Sequence, residues 1–287
     1  MKSKLIFRIS LLIVVLVAAA MAVLAFSDAT ATTPSQVAFI DVGQGDSALL
    51  SDGSGFDVLI DGGLSSKAPT VVAFLRAQGI DDIDVMVASH ADADHIGGLI
   101  DVLALDDMPV RAVVFNGYTG TTDTWTTFAA AVAAEGLVMT PAAFPGTFQW
   151  GLMQVQVLNP VSGLSNPDTN DVSVVLLVND GSKRFLFAGD IDAAIEAAVV
   201  ARGTPVAAEV LKVAHHGSNY SSSAGFLAAV QPQDTVISVG PNSYGHPGAE
   251  TLARLAAAGA TIYRTDLDGT IIIRTDFYRV HLPLVVR

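Results

Sequence analysis

Short apolar runs that each end in a polar cluster set the limits on what this chain can fold into. Val85-Met86-Val87-Ala88 leads straight into Ser89-His90-Ala91-Asp92-Ala93-Asp94-His95-Ile96-Gly97-Gly98. Phe185-Leu186-Phe187 leads into Ala188-Gly189-Asp190, and Val210-Leu211-Lys212-Val213-Ala214 into His215-His216-Gly217-Ser218. Such runs, bounded by turn residues, predict buried strands. Segments with helical spacing lie between and around them: 70–78, 96–105, 122–134, 192–201, 222–230 and 249–258. Further strands are expected at 37–40, 47–50 and 56–60 as a meander, at 110–115, 154–158, 173–178 and 235–239, and in a closing meander over 260–281. Alternating strands and helices predict an α/β fold, which presents ligands at its strand ends. No internal linker of domain size interrupts 32–287, so one domain is expected there.

Composition narrows the chemistry. The 287 residues include 15 Lys+Arg against 28 Asp+Glu, a formal net charge of −13, with 51% hydrophobic and only 15% charged residues. A basic coat for holding nucleic acid is excluded by that balance, and disorder by the apolar content. Cys is absent, which removes disulfides, thiolate metal sites and a cysteine nucleophile. Metal ligands must come from the six His and the carboxylates.

The amino-terminal segment differs from the rest. Lys2, Lys4 and Arg8 precede an uncharged apolar stretch from Ile9 to Ser27, with the small residues Ala29-Thr30-Ala31 after it. Residues 1–31 read as an export signal, either cleaved or retained as a membrane anchor, because the run approaches the roughly 17 to 25 residues that span a bilayer. The remainder is then expected outside the cytoplasm. Setting residues 1–31 aside removes Lys2, Lys4, Arg8 and Asp28 and leaves a net charge of −15.

The densest polar cluster holds four candidate metal ligands within six residues: His90, Asp92, Asp94 and His95. His90 and Asp92 point the same way on an extended stretch, and Asp94 and His95 open the next helix. Helix capping explains an Asp here but neither His. Asp190 after Gly189 is ambiguous alone, since it could cap the helix that follows. The adjacent His215 and His216 point to opposite sides, so one is a metal ligand and the other faces substrate or a carboxylate. Asp61, in Ile60-Asp61-Gly62-Gly63, reads as an orienting carboxylate at a strand end. Gly43-Gln44-Gly45-Asp46 reads as a tight turn able to approach a ligand, and His246 sits in a Gly-His-Pro loop. His281, in a strand pattern, reads as structural.

Together, Gly-Gln-Gly-Asp, Ile-Asp-Gly-Gly, Ser-His-x-Asp-x-Asp-His-x-Gly-Gly, Asn-Asp-x-Ser, Ala-Gly-Asp, His-His-Gly-Ser and Gly-His-Pro resemble the metallo-β-lactamase superfamily. Within it, the chain is similar to the hydrolase domain of ComEC-type competence DNA-uptake proteins, from about Val37 to Ile273. The resemblance implies a four-layer αβ/βα sandwich with two divalent metal ions, Zn or Mn, at one edge of the sheets. It implies His90, Asp92, Asp94, His95 and Asp190 as metal ligands, with His215 favoured over His216 as the later one. Asp92 stands where the superfamily usually has His, and the 170–173 segment Asn-Asp-Val-Ser where another His is expected; both departures are shared with the competence branch. Carboxylate in place of imidazole hardens the site and suits phosphoryl oxygens.

The implied activity is that of an exported metal-dependent hydrolase, a phosphodiesterase or nuclease using a metal-bound hydroxide. Asp94 is expected to orient that oxygen or take its proton. His216 and His246 join it as catalytic residues, and Ser218, Asn170 and Asp171 are expected to bind substrate. Substrates in view are small or polymeric phosphodiesters, extracellular DNA among them, although the acidic net charge disfavours a long polyanion. No protein partner is inferred. Two alternatives stand beside this: a lactam, lactone or thioester hydrolase on the same fold, and a non-catalytic surface binding module.

Overall fold

Strand periodicity sorts the apolar residues into layers. In the computed structural model, which describes residues 34–165 and 167–275, the first half runs β1 (Ser35–Phe39), β2 (Ala48–Ser51), β3 (Asp57–Ile60), α1 (Ala68–Ala77), β4 (Val85–Ala88), α2 (Ala93–Leu103), β5 (Val113–Phe115), α3 (Asp123–Ala134) and β6 (Met139–Pro141). The second half runs β7 (Gly146–Trp150), β8 (Met153–Asn159), β9 (Val175–Asn179), β10 (Arg184–Phe187), α4 (Ala193–Ala201), β11 (Val210–Lys212), α5 (Ala224–Val230), β12 (Asp234–Ile237), α6 (Ala249–Ala257), β13 (Thr261–Arg264), α7 (Thr265–Asp268) and β14 (Ile271–Thr275). Residues 1–31, expected from the sequence to be an export signal or anchor, and His281 lie outside the described residues. Among the described residues no helix is long and apolar enough to cross a membrane.

Two seven-stranded mixed sheets result, in the orders β14-β1-β2-β3-β4-β5-β6 and β13-β12-β11-β10-β9-β8-β7. One core lies between them: Val37, Phe39, Val85 and Val87 of the first sheet meet Val155, Leu176, Phe185 and Val210 of the second. The alternate residues face outward. Ala38, Leu59 and Met86 pack with Leu75, Leu99 and Phe128 of the helices on one side, and Leu186, Leu211 and Ile237 with Val199, Leu227 and Leu255 on the other. This is the αβ/βα sandwich, with every strand apolar on both faces where helices cover it.

The antiparallel meander β1-β2-β3 forms as its alternation predicts, with Val37 opposite Leu50 and Leu49 opposite Leu59. Pairing turns parallel from β3 to β6 and again from β10 to β13. The closing meander is corrected. β13 joins the second sheet parallel to β12, whereas β14 joins the first sheet antiparallel to β1. A helical turn, Thr265–Asp268, and Gly269 at φ 69° carry the chain from one sheet to the other. The edge strands β6 and β7 have no counterpart in the sequence reading. Each is half exposed, and β6 contains Pro141, a residue tolerated at an edge where no ladder partner is needed.

α2 begins at Ala93, three residues before its apolar stripe of Ile96, Leu99 and Val102, so Asp94 and His95 occupy its first turn. Its glycines bring it hard against the loop after β3. A Cβ on Gly98 would lie 2.0 Å from the Gly62 carbonyl oxygen, and one on Gly97 2.6 Å from the Ser65 nitrogen. That approach sets His95 beside Asp61, with Gly62 N–H donating to the His95 carbonyl at 2.7 Å.

Candidate metal centre

The carboxyl ends of the parallel strands converge on one point. Asp61 follows β3, Ser89 and His90 follow β4, Asp190 follows β10, and His215 and His216 follow β11. Asp192, not Asp190, caps α4, accepting from Ala194 N–H and Ile195 N–H, which frees Asp190 for the site. Asp92 occupies the N-cap position of α2 but its carboxylate caps nothing.

His95 Nε2 and His216 Nε2 each lie 3.4 Å from Asp190 Oδ2, and His216 Nε2 lies 3.4 Å from Asp94 Oδ2. The His90 ring lies tilted by 52° against that of His95, with 4.0 Å between ring centroids. Three of the overlapping groups that bring ligand atoms within 4.8 Å are His90/His95/Asp190, Asp94/His95/His216 and Asp46/Asp190/His216.

Each buried imidazole is held by its far nitrogen. His95 Nδ1 is 2.9 Å from Asp61 Oδ2, and His216 Nδ1 is 2.9 Å from the Ser238 carbonyl oxygen. Both acceptors require a proton on Nδ1. Ser89 Oγ donates to Asp61 at 2.6 Å, so its oxygen accepts from His90 Nδ1 at 3.0 Å. The three Nε2 lone pairs are thereby turned toward the cluster, the arrangement by which outer partners orient metal-binding histidines. Asp61 adopts φ 58°, a left-handed conformation that Asp tolerates better than most residues.

These residues fit metal. His90 Nε2, His95 Nε2, His216 Nε2, Asp190 Oδ1 and Asp46 Oδ1 are buried with no hydrogen-bond partner. Burial disfavours charge on Asp190, yet His216 and His95 pull its carboxyl well below the usual range. Burial likewise opposes protonation of His95 and His216, but Asp190 lifts both well above the ordinary imidazole value. His90, buried and beside His95, is pushed down to about 3. Among the described residues the buried carboxylates Asp46, Asp61 and Asp190, with Asp92 and Asp94 at the rim, face one buried ammonium, Lys212, an excess of negative charge that divalent cations would balance.

Among the residues expected from the sequence, His90, Asp94, His95, Asp190 and His216 come together. His216 is 2% exposed and central, while the His215 side chain is 30% exposed and stands 4.0 Å from Asp190. The geometry therefore assigns to His216 the inward position expected of His215. Both take left-handed backbone angles, φ 51° and 52°, which throws their rings to opposite sides. Asp92 sits at the edge, 3.7 Å from His90 Nε2 with its side chain 43% exposed. His246 lies on the rim, its ring 5.4 Å from that of His215. Burial, and then His215 and His216, lower its pKa. Ser218 is buried, and its hydroxyl accepts from Tyr220 N–H at 3.3 Å inside its own turn. Asn170 keeps a buried, unpartnered Oδ1, whereas the Asp171 carbonyl is tied to Asn159 Nδ2 at 2.8 Å.

The sequence reading placed neither Asp46 nor Lys212 in the site. Asp46 Oδ1 is 3.3 Å from His216 Nδ1, and its other oxygen pairs with the Lys212 ammonium. The signal for Lys212 was a lone charge two residues from Val210 in an otherwise apolar strand, which sends it to the same inward face.

A family model described as the Metallo-beta-lactamase superfamily matches residues 40–240. The chain belongs to the metallo-β-lactamase superfamily. ComE operon protein 3 of Bacillus subtilis is 30% identical over 264 residues, covering 85% of this chain and 33% of that protein. Competence protein ComA of Neisseria gonorrhoeae is 35% identical over 234 residues, covering 80% of this chain and 31% of its own. The chain thus spans about a third of the length of these relatives. Among solved structures, the metallo-β-lactamase fold protein YhfI of Bacillus subtilis superposes with a TM-score of 0.56 at 12% identity, covering 84% of this chain and 100% of YhfI. That likeness establishes the fold. Its His/Asp cluster lies where the loops after β1, β3 and β4 of one half meet those after β10 and β11 of the other.

Proposed function

We propose that this metallo-β-lactamase superfamily hydrolase is an exported phosphodiesterase that uses two divalent cations, Zn or Mn. The observation that carries the reading is the carboxylate content of the cluster: Asp46, Asp61, Asp94 and Asp190 share the ligand-spaced groups with His90, His95 and His216, and Asp92 stands 3.7 Å from His90 Nε2, a donor set suited to hard cations and phosphoryl oxygens. His90, His95, Asp190, His216, Asp94 and Asp92 would hold the ions, which when bound supply Lewis acidity and lower the pKa of water. Hydrolysis then forms a bond from a water oxygen to phosphorus and breaks one ester P–O bond. Asp94, at the rim with its side chain 30% exposed, orients the water and receives its proton. His246, on the outer side of the His pair, protonates the departing alkoxide. The apolar stretch 9–27 supports export, and the two competence relatives make DNA a candidate substrate.

The test is a substrate panel on the purified full chain with Mn²⁺ or Zn²⁺: bis(p-nitrophenyl) phosphate, a chromogenic cephalosporin and a thioester. Turnover of the phosphodiester that is lost in Asp94→Ala and with chelator is expected. Cleavage of the cephalosporin or thioester alone would replace this reading.

A further inference from the structure

Beside the metal cluster lies an open cavity of about 410 Å³, within the roughly 300–1,000 Å³ typical of small-molecule sites. Two of its wall residues belong to the site's own loops. Ala91 stands between His90 and Asp92, and Val172 between Asp171 and Ser173, whose hydroxyl accepts from Asp190 N–H at 3.1 Å. The opposite wall is the loop after β5, held against Ala91 because Gly120 has no side chain; a Cβ there would lie 2.7 Å from that of Ala91.

The wall chemistry is polar and uncharged. Thr119, Thr121 and Thr169 line it with hydroxyls that make no hydrogen bond to the described residues, and Asn116 offers its amide N–H₂ while its Oδ1 accepts from Tyr118 N–H. Tyr118 contributes a ring fixed at both ends of its hydroxyl, which donates to the Val161 carbonyl at 2.8 Å and accepts from Leu164 N–H at 2.9 Å. A rigid aromatic face flanked by free donors and acceptors suits a planar or ring-shaped neutral group. Among the described residues no Lys or Arg lines the cavity. The charges next to it are carboxylates: Asp168, adjacent to Thr169, acts electrostatically on both Asp92 and Asp171. The loop that packs on Asp94 carries Gly43, whose Cβ position is 3.7 Å from the Lys67 ammonium.

We infer that this cavity is the subsite for a neutral, hydroxyl-bearing ring group, a nucleoside or glycosyl moiety, esterified to the phosphate that is cleaved, and that its acidic border rejects a second phosphate on that side. The inference rests on the phosphodiesterase reading and sharpens it. A polynucleotide strand running through the site would set its next phosphate against Asp168 and Asp171, so such a substrate is taken from an end, with one terminal nucleoside seated in the cavity. Small diesters with one neutral ring are the preferred class.

Three p-nitrophenyl phosphodiesters that share one scissile bond test this on the full Mn²⁺-loaded chain: the methyl ester, the thymidine 5′-ester, and the thymidine 5′-ester carrying a 3′-phosphate. Two or three hydrogen bonds of ordinary strength predict a KM about tenfold lower for the thymidine ester than for the methyl ester. The 3′-phosphate should erase that gain, and Thr119→Val combined with Thr121→Val should raise KM for the thymidine ester more than for the methyl ester. Equal KM values for the methyl and thymidine esters, or tightest use of the 3′-phosphorylated one, overturn the subsite. If none of the three is hydrolysed, the phosphodiesterase reading fails. Saturation-transfer NMR with thymidine then decides the subsite by itself: contact weakened by the double Thr substitution supports it, and no contact at millimolar thymidine overturns it.

Discussion

Lys212 and Asp46 form an ion pair that joins the two sheets beneath the histidine cluster, with side chains only 4% and 9% exposed. Burial alone would raise the Asp46 carboxyl, but Lys212, and after it His216 and His95, hold it far below the ordinary range. Lys212→Met leaves a buried carboxylate without its cation and should cost about 3–5 kcal/mol. Lys212→Met with Asp46→Leu should recover much of that loss. Urea unfolding of the two variants measures the difference, and equal destabilisation by both would contradict the pairing.

Asp61 holds His95 directly and His90 through Ser89. Asn can keep the left-handed backbone of this position but not the acceptor pair. Asp61→Asn should therefore weaken metal binding by about 10- to 100-fold with little change in fold. Calorimetric titration of the metal-free protein with Mn²⁺ provides the number, and an unaltered affinity would remove Asp61 from the site.

His216 and His215 are adjacent in sequence and opposite in position. His216→Ala should reduce the bound metal measured by elemental analysis to at most half, whereas His215→Ala should retain it. The reverse pattern would restore His215 as the ligand.

Far from the site, Asp57 is pushed up to about 6 by burial, with Asp84 and Asp52 adding to it against the Ser51 hydrogen bond. A carboxyl whose folded pKa exceeds its unfolded one holds its proton more tightly in the native state. Its stabilising effect is complete below about pH 4 and is lost as pH rises through 6. Asp57→Asn should thus gain stability relative to the parent between pH 4 and pH 7.5. Thermal melts at both pH values read this directly, and a parallel pH response of parent and variant would refute it.

Where apolar periodicity carries the information, the sequence is legible. Val37 and Phe39 against Ala38 and Ile40 separate the inner core from the outer one, and the polar residues after β4, β10 and β11 locate the site. Other features depend on partners distant in the chain. Nothing local distinguishes His215 from His216, because the choice follows from the left-handed angles that both adopt and from the Ser238 carbonyl that holds His216, a partner distant in the chain. Asp46 resembles an ordinary turn residue until Lys212 arrives from the other sheet. The destination of β14 is equally hidden, since Ile271-Ile272-Ile273 would suit either sheet and the turn before it decides.

That strand has a further consequence. Ser35 and Thr275 are register partners, so the described body is entered and left at adjacent points on the same sheet edge. A fold with its two doors side by side can be spliced into a longer polypeptide through a surface loop, because the host chain need only be opened by the width of one strand pair. The same architecture can therefore be joined to further sequence without any change to its sheets.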